Sequence, residues 1–141
     1  MSKKNVYLFV YGSLLNKMSR KKTLGYQVNE YKVKLAKEAG FSCEWCFRSE
    51  RLKMTALGLC KKESNCDIDG KILQIKMSDF EKLDEREIGY ERIQIDSKYF
   101  KLIDKSKPDY FKRVYTYIVN NPQYENNNYP IKDYYKKLCN K

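Results

Sequence analysis

Glu87 is the residue of this sequence best placed to do chemistry, because its spacing sets it against its own polarity. In the stretch Ser78-Asp79-Phe80-Glu81-Lys82-Leu83-Asp84-Glu85-Arg86-Glu87, a helical repeat of about 100° per residue puts Phe80 and Leu83 on a core-facing side. Glu87 follows Phe80 by seven residues and Leu83 by four, so a helix that reaches it turns its carboxylate into the same apolar arc. Burying a carboxylate costs free energy unless it is hydrogen-bonded or protonated, and desolvation raises its pKa. In that setting a Glu exchanges protons near neutral pH. A helix that frays at Glu85 would instead leave Glu87 to pair with Arg86 or a lysine. Periodicity alone leaves both open.

A second chemical feature lies near the N-terminus. The apolar run Val6-Tyr7-Leu8-Phe9-Val10 enters Tyr11-Gly12-Ser13-Leu14 and then turns polar. A Gly-Ser turn after a buried strand exposes backbone N–H groups that can cradle an anion or a developing oxyanion. The chain has no histidine, which removes Ser-His and Cys-His triads and leaves acid–base work to carboxylates, Lys, Tyr or Cys. A substrate that carries its own nucleophile then gives the most economical chemistry, an acyl transfer or cyclisation.

Five cysteines offer less. Cys43 and Cys46 have CxxC spacing, but Cys60 and Cys66 stand five residues apart with no Gly-rich knuckle, so reduced, partly buried thiols are expected and no metal site. The net charge is +11, from 29 basic and 18 acidic residues. With 13 tyrosines it raises the possibility of a basic nucleic-acid-binding module. The basic residues are scattered along the chain, however, and fit a solvated positive surface better. No apolar stretch approaches the roughly 18 residues of a membrane helix. The N-terminal run lacks a signal-peptide cleavage pattern, so a cytoplasmic location is expected.

The elements that must position these residues follow from pattern. Residues 5–11 read as a strand apolar on both faces, and Ser19 to Leu24 as a helical turn. Tyr31, Val33 and Leu35 alternate with polar residues in a half-exposed strand. Residues 40–53 read as irregular. Met54–Cys60 and Gly70–Met77 read as a hairpin with a nine-residue connection. The helix spans 78–87, with Ser78 and Glu81 as a capping box and Gly89 as its stop. Ile93 and Ile95, then Val114 to Val119, supply further strands, and Pro130 starts a short terminal helix. No repeat or linker divides residues 1–141, which predicts one α+β domain of about six strands and two or three helices.

At these residues the sequence resembles the gamma-glutamylcyclotransferase superfamily, whose members release 5-oxoproline from γ-glutamyl compounds. The resemblance rests on FVYGSLLN (9–16), TALGL (55–59), DGKILQIKM (69–77), LDEREIGYER (83–92), YTYIVN (115–120) and PIKDYYKKLC (130–139), in order along nearly the whole chain. It implies a small mixed or antiparallel β-barrel with the pocket at one mouth, acting on a small-molecule γ-glutamyl substrate without a cofactor, as a monomer or homodimer. Glu87 would be the acid–base residue. Backbone groups of Tyr11, Gly12, Ser13 and Leu14 would hold the γ-glutamyl head and the oxyanion. Tyr90 and Tyr117 would be pocket-wall residues, with plain core packing as the other reading of each. Residues 40–53 would face the leaving-group side, where glutathione, γ-glutamyl-amino acids and γ-glutamyl-amines are all possible. The competing function within the same fold is a non-catalytic member that binds a ligand or protein.

Overall fold

The structure, a computed structural model, describes residues 5–11, 28–103, 112–134 and 136. The expected turn at Ser19 to Leu24 lies outside them. Strand β1 (Asn5–Val10) is apolar in both directions because it is covered on both faces. Val6, Leu8 and Val10 pack with Leu73, Ile75, Phe80 and Leu83 on one side. Phe9 packs on the other with Val33, Leu35, Phe41, Leu59 and Ile72.

The remaining strands are β2 (Glu30–Leu35), β3 (Phe41–Ser49), β4 (Met54–Lys61), β5 (Ile68–Lys76), β6 (Glu91–Ile95), β7 (Phe100–Leu102) and β8 (Val114–Ile118). Six of them form one mixed sheet in the order β6-β8-β1-β5-β2-β7. β1 and β8 run parallel, with Tyr7 opposite Val114, and the other pairs are antiparallel. β2 keeps the expected alternation: Tyr31, Val33 and Leu35 are buried in the core beneath the second sheet, while Lys32 is exposed. Where β5 crosses β1, Gly70 admits the Phe9 ring; a Cβ there would stand 2.5 Å from Phe9 Cε1.

The α+β class stands, but the sheet does not close into a barrel. β6 and β7 are its two edges, and β3 and β4 form a separate two-stranded sheet. The sheets meet through a few hydrogen bonds in place of a ladder. Val119 N donates to Leu59 O at 2.7 Å, and the Tyr11 hydroxyl accepts from Leu59 N at 3.1 Å while donating to Tyr117 O. This junction also corrects the expected hairpin. β4 pairs with β3, and β5 pairs with β1 and β2, so the connection after β4 crosses between sheets.

Residues 40–53 are not irregular, since 41–49 form β3. A bulge at Cys46, where pairing shifts between Trp45↔Leu57 and Phe47↔Ala56, breaks the period-two pattern that would announce a strand.

Helix α1 is Phe80–Arg86, with 3₁₀ turns at Lys37–Ala39, Met77–Asp79 and Ser97–Tyr99, and Asp133, Tyr134 and Lys136 are again helical. The expected Ser78–Glu81 capping box gives way to Asp79, whose carboxylate accepts from Lys76 N at 3.0 Å. The terminal helical turn begins at Asp133 and not at Pro130, because the Pro130 carbonyl is bonded to Thr55 N at 2.9 Å and holds that segment extended along β4. No helix among the described residues is long and apolar enough to cross a membrane.

Candidate functional site

The helix α1 is fixed against the large sheet by its apolar side and by a polar clamp at Asp84. Phe80 and Leu83 are buried. Asp84 accepts from the Tyr117 hydroxyl at 2.6 Å and from Arg92 at 3.1 Å, and the Arg92 guanidinium lies 4.1 Å from the Phe80 ring centroid. Elements β6, β8 and α1 therefore share one network, and the end of α1 cannot shift without breaking it.

Glu87 is the C-cap of this helix. Its N–H still completes the helical ladder to Leu83 O at 2.8 Å, while its backbone leaves helical values at φ −99° and ψ 38°. Its carbonyl accepts from Tyr90 N at 3.0 Å, closing a tight turn through Gly89 at φ +94°. Gly89 is required twice over, by its left-handed backbone and because a Cβ would stand 2.7 Å from the Phe47 ring. Only 18% of the Glu87 side chain is exposed, and Arg86 Nη1 is 3.5 Å from its Oε2. Both alternatives left open by periodicity are thus partly realised: the carboxylate is turned inward and it also has Arg86. Burial pushes its carboxyl above the usual value, and Arg86 pulls against that shift.

Glu87 opens on a cavity of about 710 Å³. One wall is the turn after α1, with Arg86, Glu87 and Tyr90; the facing wall is the β3–β4 turn, with Phe47, Arg48 and Glu50. Tyr90 is held rigidly, its hydroxyl donating to Leu57 O at 2.7 Å and its ring stacked on Phe47 with centroids 4.2 Å apart.

Of the residues singled out from sequence, Glu87 and Tyr90 share this cavity. Tyr117 lies behind it, 3% exposed, and does not line it; burial and then Asp84 raise its hydroxyl pKa, so it keeps its proton and donates a hydrogen bond to Asp84. Tyr11 sits at the junction of the two sheets, bridging Leu59 and Tyr117. Gly12, Ser13 and Leu14 lie outside the described residues.

Cys46 and Cys60 pack with Val119, and burial pushes the Cys46 thiol up to about 12, opposite to what a thiolate ligand needs. Among the described residues no group of three or more Cys, Asp or Glu could hold a metal ion. Sequence reasoning missed Arg48 and Phe47. Their signal was hidden because the strand carrying them was not recognised.

The sequence family described as gamma-glutamyl cyclotransferase, AIG2-like, matches residues 8–136. No curated protein matches the chain. Among solved structures, a gamma-glutamyl cyclotransferase superposes with a TM-score of 0.70 at 16% identity, covering 96% of this chain and 76% of its own. YkqA from Bacillus subtilis gives 0.67 at 16% identity over 97% of this chain, and an Arabidopsis thaliana protein solved in solution gives 0.56 at 16% over 84%. The chain spans 47% of the length of YkqA and 66% of that of the plant protein. At such identities the likeness is one of fold.

Proposed function

Because the chain belongs to the gamma-glutamyl cyclotransferase, AIG2-like family, we propose that it is a cofactor-independent cyclotransferase that converts a γ-glutamyl amide to 5-oxoproline and a free amine. The observation that carries this proposal is Glu87: a mostly buried carboxylate with a raised pKa, in the wall of a cavity large enough for a dipeptide-sized ligand.

Glu87 takes a proton from the substrate's α-ammonium group. The freed amine attacks the γ-carbonyl carbon, and a C–N bond closes the five-membered ring. The ring nitrogen, still carrying two protons after attack, gives one up. As the tetrahedral intermediate collapses, the original amide C–N bond breaks and Glu87 returns its proton to the departing nitrogen. The second proton follows through the same carboxylate, so the amine leaves as an ammonium. A carboxyl raised by burial is a better match to an ammonium than an ordinary one, and Arg86 favours the ionised form needed to begin. Backbone N–H groups of Tyr11, Gly12, Ser13 and Leu14 receive the γ-glutamyl head and the oxyanion. Since nucleophile and electrophile belong to one molecule, positioning supplies a large part of the rate. Tyr90 and Phe47 wall the reacting centre from water.

Purified protein mixed with a panel of γ-glutamyl-amino acids, γ-glutamyl-amines and glutathione should release 5-oxoproline from at least one of them, read by chromatography. Absence of product from every member of the panel, with the protein folded, would overturn the assignment.

A further inference from the structure

The cavity wall opposite Glu87 carries a cation whose hydrogen bonding is incomplete. Arg48 leaves β3 near its end and lines the cavity. Its guanidinium is held in place on two sides: the plane lies 4.4 Å from the Tyr129 ring centroid, and Nη2 makes a long, 3.5 Å bond to Tyr124 O. Its Nε is buried and has no acceptor among the described residues. A guanidinium N–H taken out of water is costly to leave unmade, whereas an Arg already fixed on an aromatic face loses little freedom when it binds a carboxylate.

The neighbouring acid does not fill this vacancy. Glu50 is engaged by the Tyr129 hydroxyl at 2.6 Å and by Lys53 at 3.6 Å. Across the cavity, Arg86 is the cation beside Glu87. The lining carries three guanidiniums (Arg48, Arg51 and Arg86) against two carboxylates (Glu50 and Glu87), so its balance favours one further negative charge.

We propose that Arg48 is a carboxylate subsite for the leaving half of the substrate, so that the released amine is an amino acid or peptide and not a simple amine. This deepens the cyclotransferase assignment and rests on it. Glu87 stands at the scissile amide, and the leaving half of the substrate extends toward the β3–β4 turn, where Arg48 lines the facing wall.

The test compares γ-glutamyl-alanine with γ-glutamyl-ethylamide, two substrates that differ only in the leaving-group carboxylate. In the parent protein kcat/KM should favour γ-glutamyl-alanine by roughly 10- to 100-fold, the scale of a hydrogen bond to a charged partner. In Arg48→Met that ratio should fall toward one, and in Arg48→Lys it should recover in part. A ratio is insensitive to the fraction of molecules folded, so a destabilised variant still reports. Parent preference for the ethylamide, or an equal loss on both substrates in Arg48→Met, overturns the proposal; the second result would place Arg48 on the head group's own carboxylate or in a structural role. If neither compound is turned over, the full substrate panel decides the cyclotransferase assignment. Calorimetric binding of the same two compounds then decides the subsite, with tighter binding of γ-glutamyl-alanine that is lost in Arg48→Met upholding it and equal or absent binding rejecting it.

Discussion

Glu44 and Glu87 bury their side chains to nearly the same extent, with 23% and 18% exposed, yet their carboxyls move in opposite directions. Glu44, on β3, accepts from the Tyr124 hydroxyl at 2.8 Å, from Lys62 at 3.0 Å and from Ser42 at 3.0 Å. Tyr124 first, then Lys62, hold its carboxyl below the ordinary value of 4.5. Glu87 has burial and a single guanidinium at 3.5 Å, and burial wins. Exposure alone therefore does not decide whether a carboxylate is structural or reactive. The depth to which the surrounding protein desolvates it and the donors that reach it do.

The largest test of this contrast is kinetic. Glu87→Gln keeps the shape and removes the base, and 5-oxoproline release should fall by about 10² to 10⁴, the range for general acid–base catalysis. Glu44→Gln, remote from the cavity, should keep parental rates when assayed beside it. Equal losses in the two variants would erase the distinction.

A second test disturbs the dry side of Glu87. Gly89→Ala forces a left-handed backbone onto a side chain and presses on Phe47, so it should cost about 1 to 3 kcal/mol in denaturant unfolding. By loosening the wall and displacing Glu87 it should also lower kcat/KM by about 10- to 100-fold. The acid limb of the pH–rate profile should move to lower pH as water reaches the carboxylate.

The third is thermodynamic, and the two residues have opposite signs. Glu44, with its folded pKa depressed, stabilises the fold above its ordinary value, and that contribution disappears as pH falls through the lowered one. Glu87, with its folded pKa raised, contributes fully below its ordinary value and loses that contribution as pH rises through the raised one. At neutral pH Glu44→Gln should therefore cost about 1 kcal/mol, the scale of a partly exposed charged cluster. Glu87→Gln should raise the melting temperature at the same pH, with both differences shrinking in acid. Thermal melts across pH read both variants. The smallest expected effect comes from Tyr124→Phe, which removes the first donor to Glu44 and should let its carboxyl drift back toward 4.5 in an NMR titration, leaving Glu87 unchanged.

What could be read in advance follows the same division between local and distant causes. The apolar β1, the alternating β2 and the Gly89 stop are legible because each reports its own surroundings. Glu87 is legible because seven residues of helix suffice to phase it. The strand β3 is not, since its bulge at Cys46 interrupts the alternation and its charges, Glu44 and Arg48, find partners 80 and 76 residues away in Tyr124 and the Tyr124 carbonyl. The β4–β5 hairpin was a wrong inference for a related reason: two apolar runs joined by a polar segment do not say which strand each will meet. The part of the cavity wall formed by Phe47, Arg48 and Ser49 was hidden with β3. The open sheet, where a barrel was expected, depends on a tyrosine hydroxyl and single backbone bonds that no periodicity encodes.

The parallel pairing of β1 with β8 also governs how the molecule can come into being. Phe9 O receives the Thr116 hydroxyl across 107 residues of chain, and Tyr7 meets Val114 over the same span. The sheet's central strand therefore waits for its second neighbour until 107 further residues have been made. Until β8 leaves the ribosome, β1 lacks one of its two neighbours and a strand apolar on both faces waits exposed. Closing so long a loop is slow, and until it closes the unpaired side of β1 is an aggregation hazard.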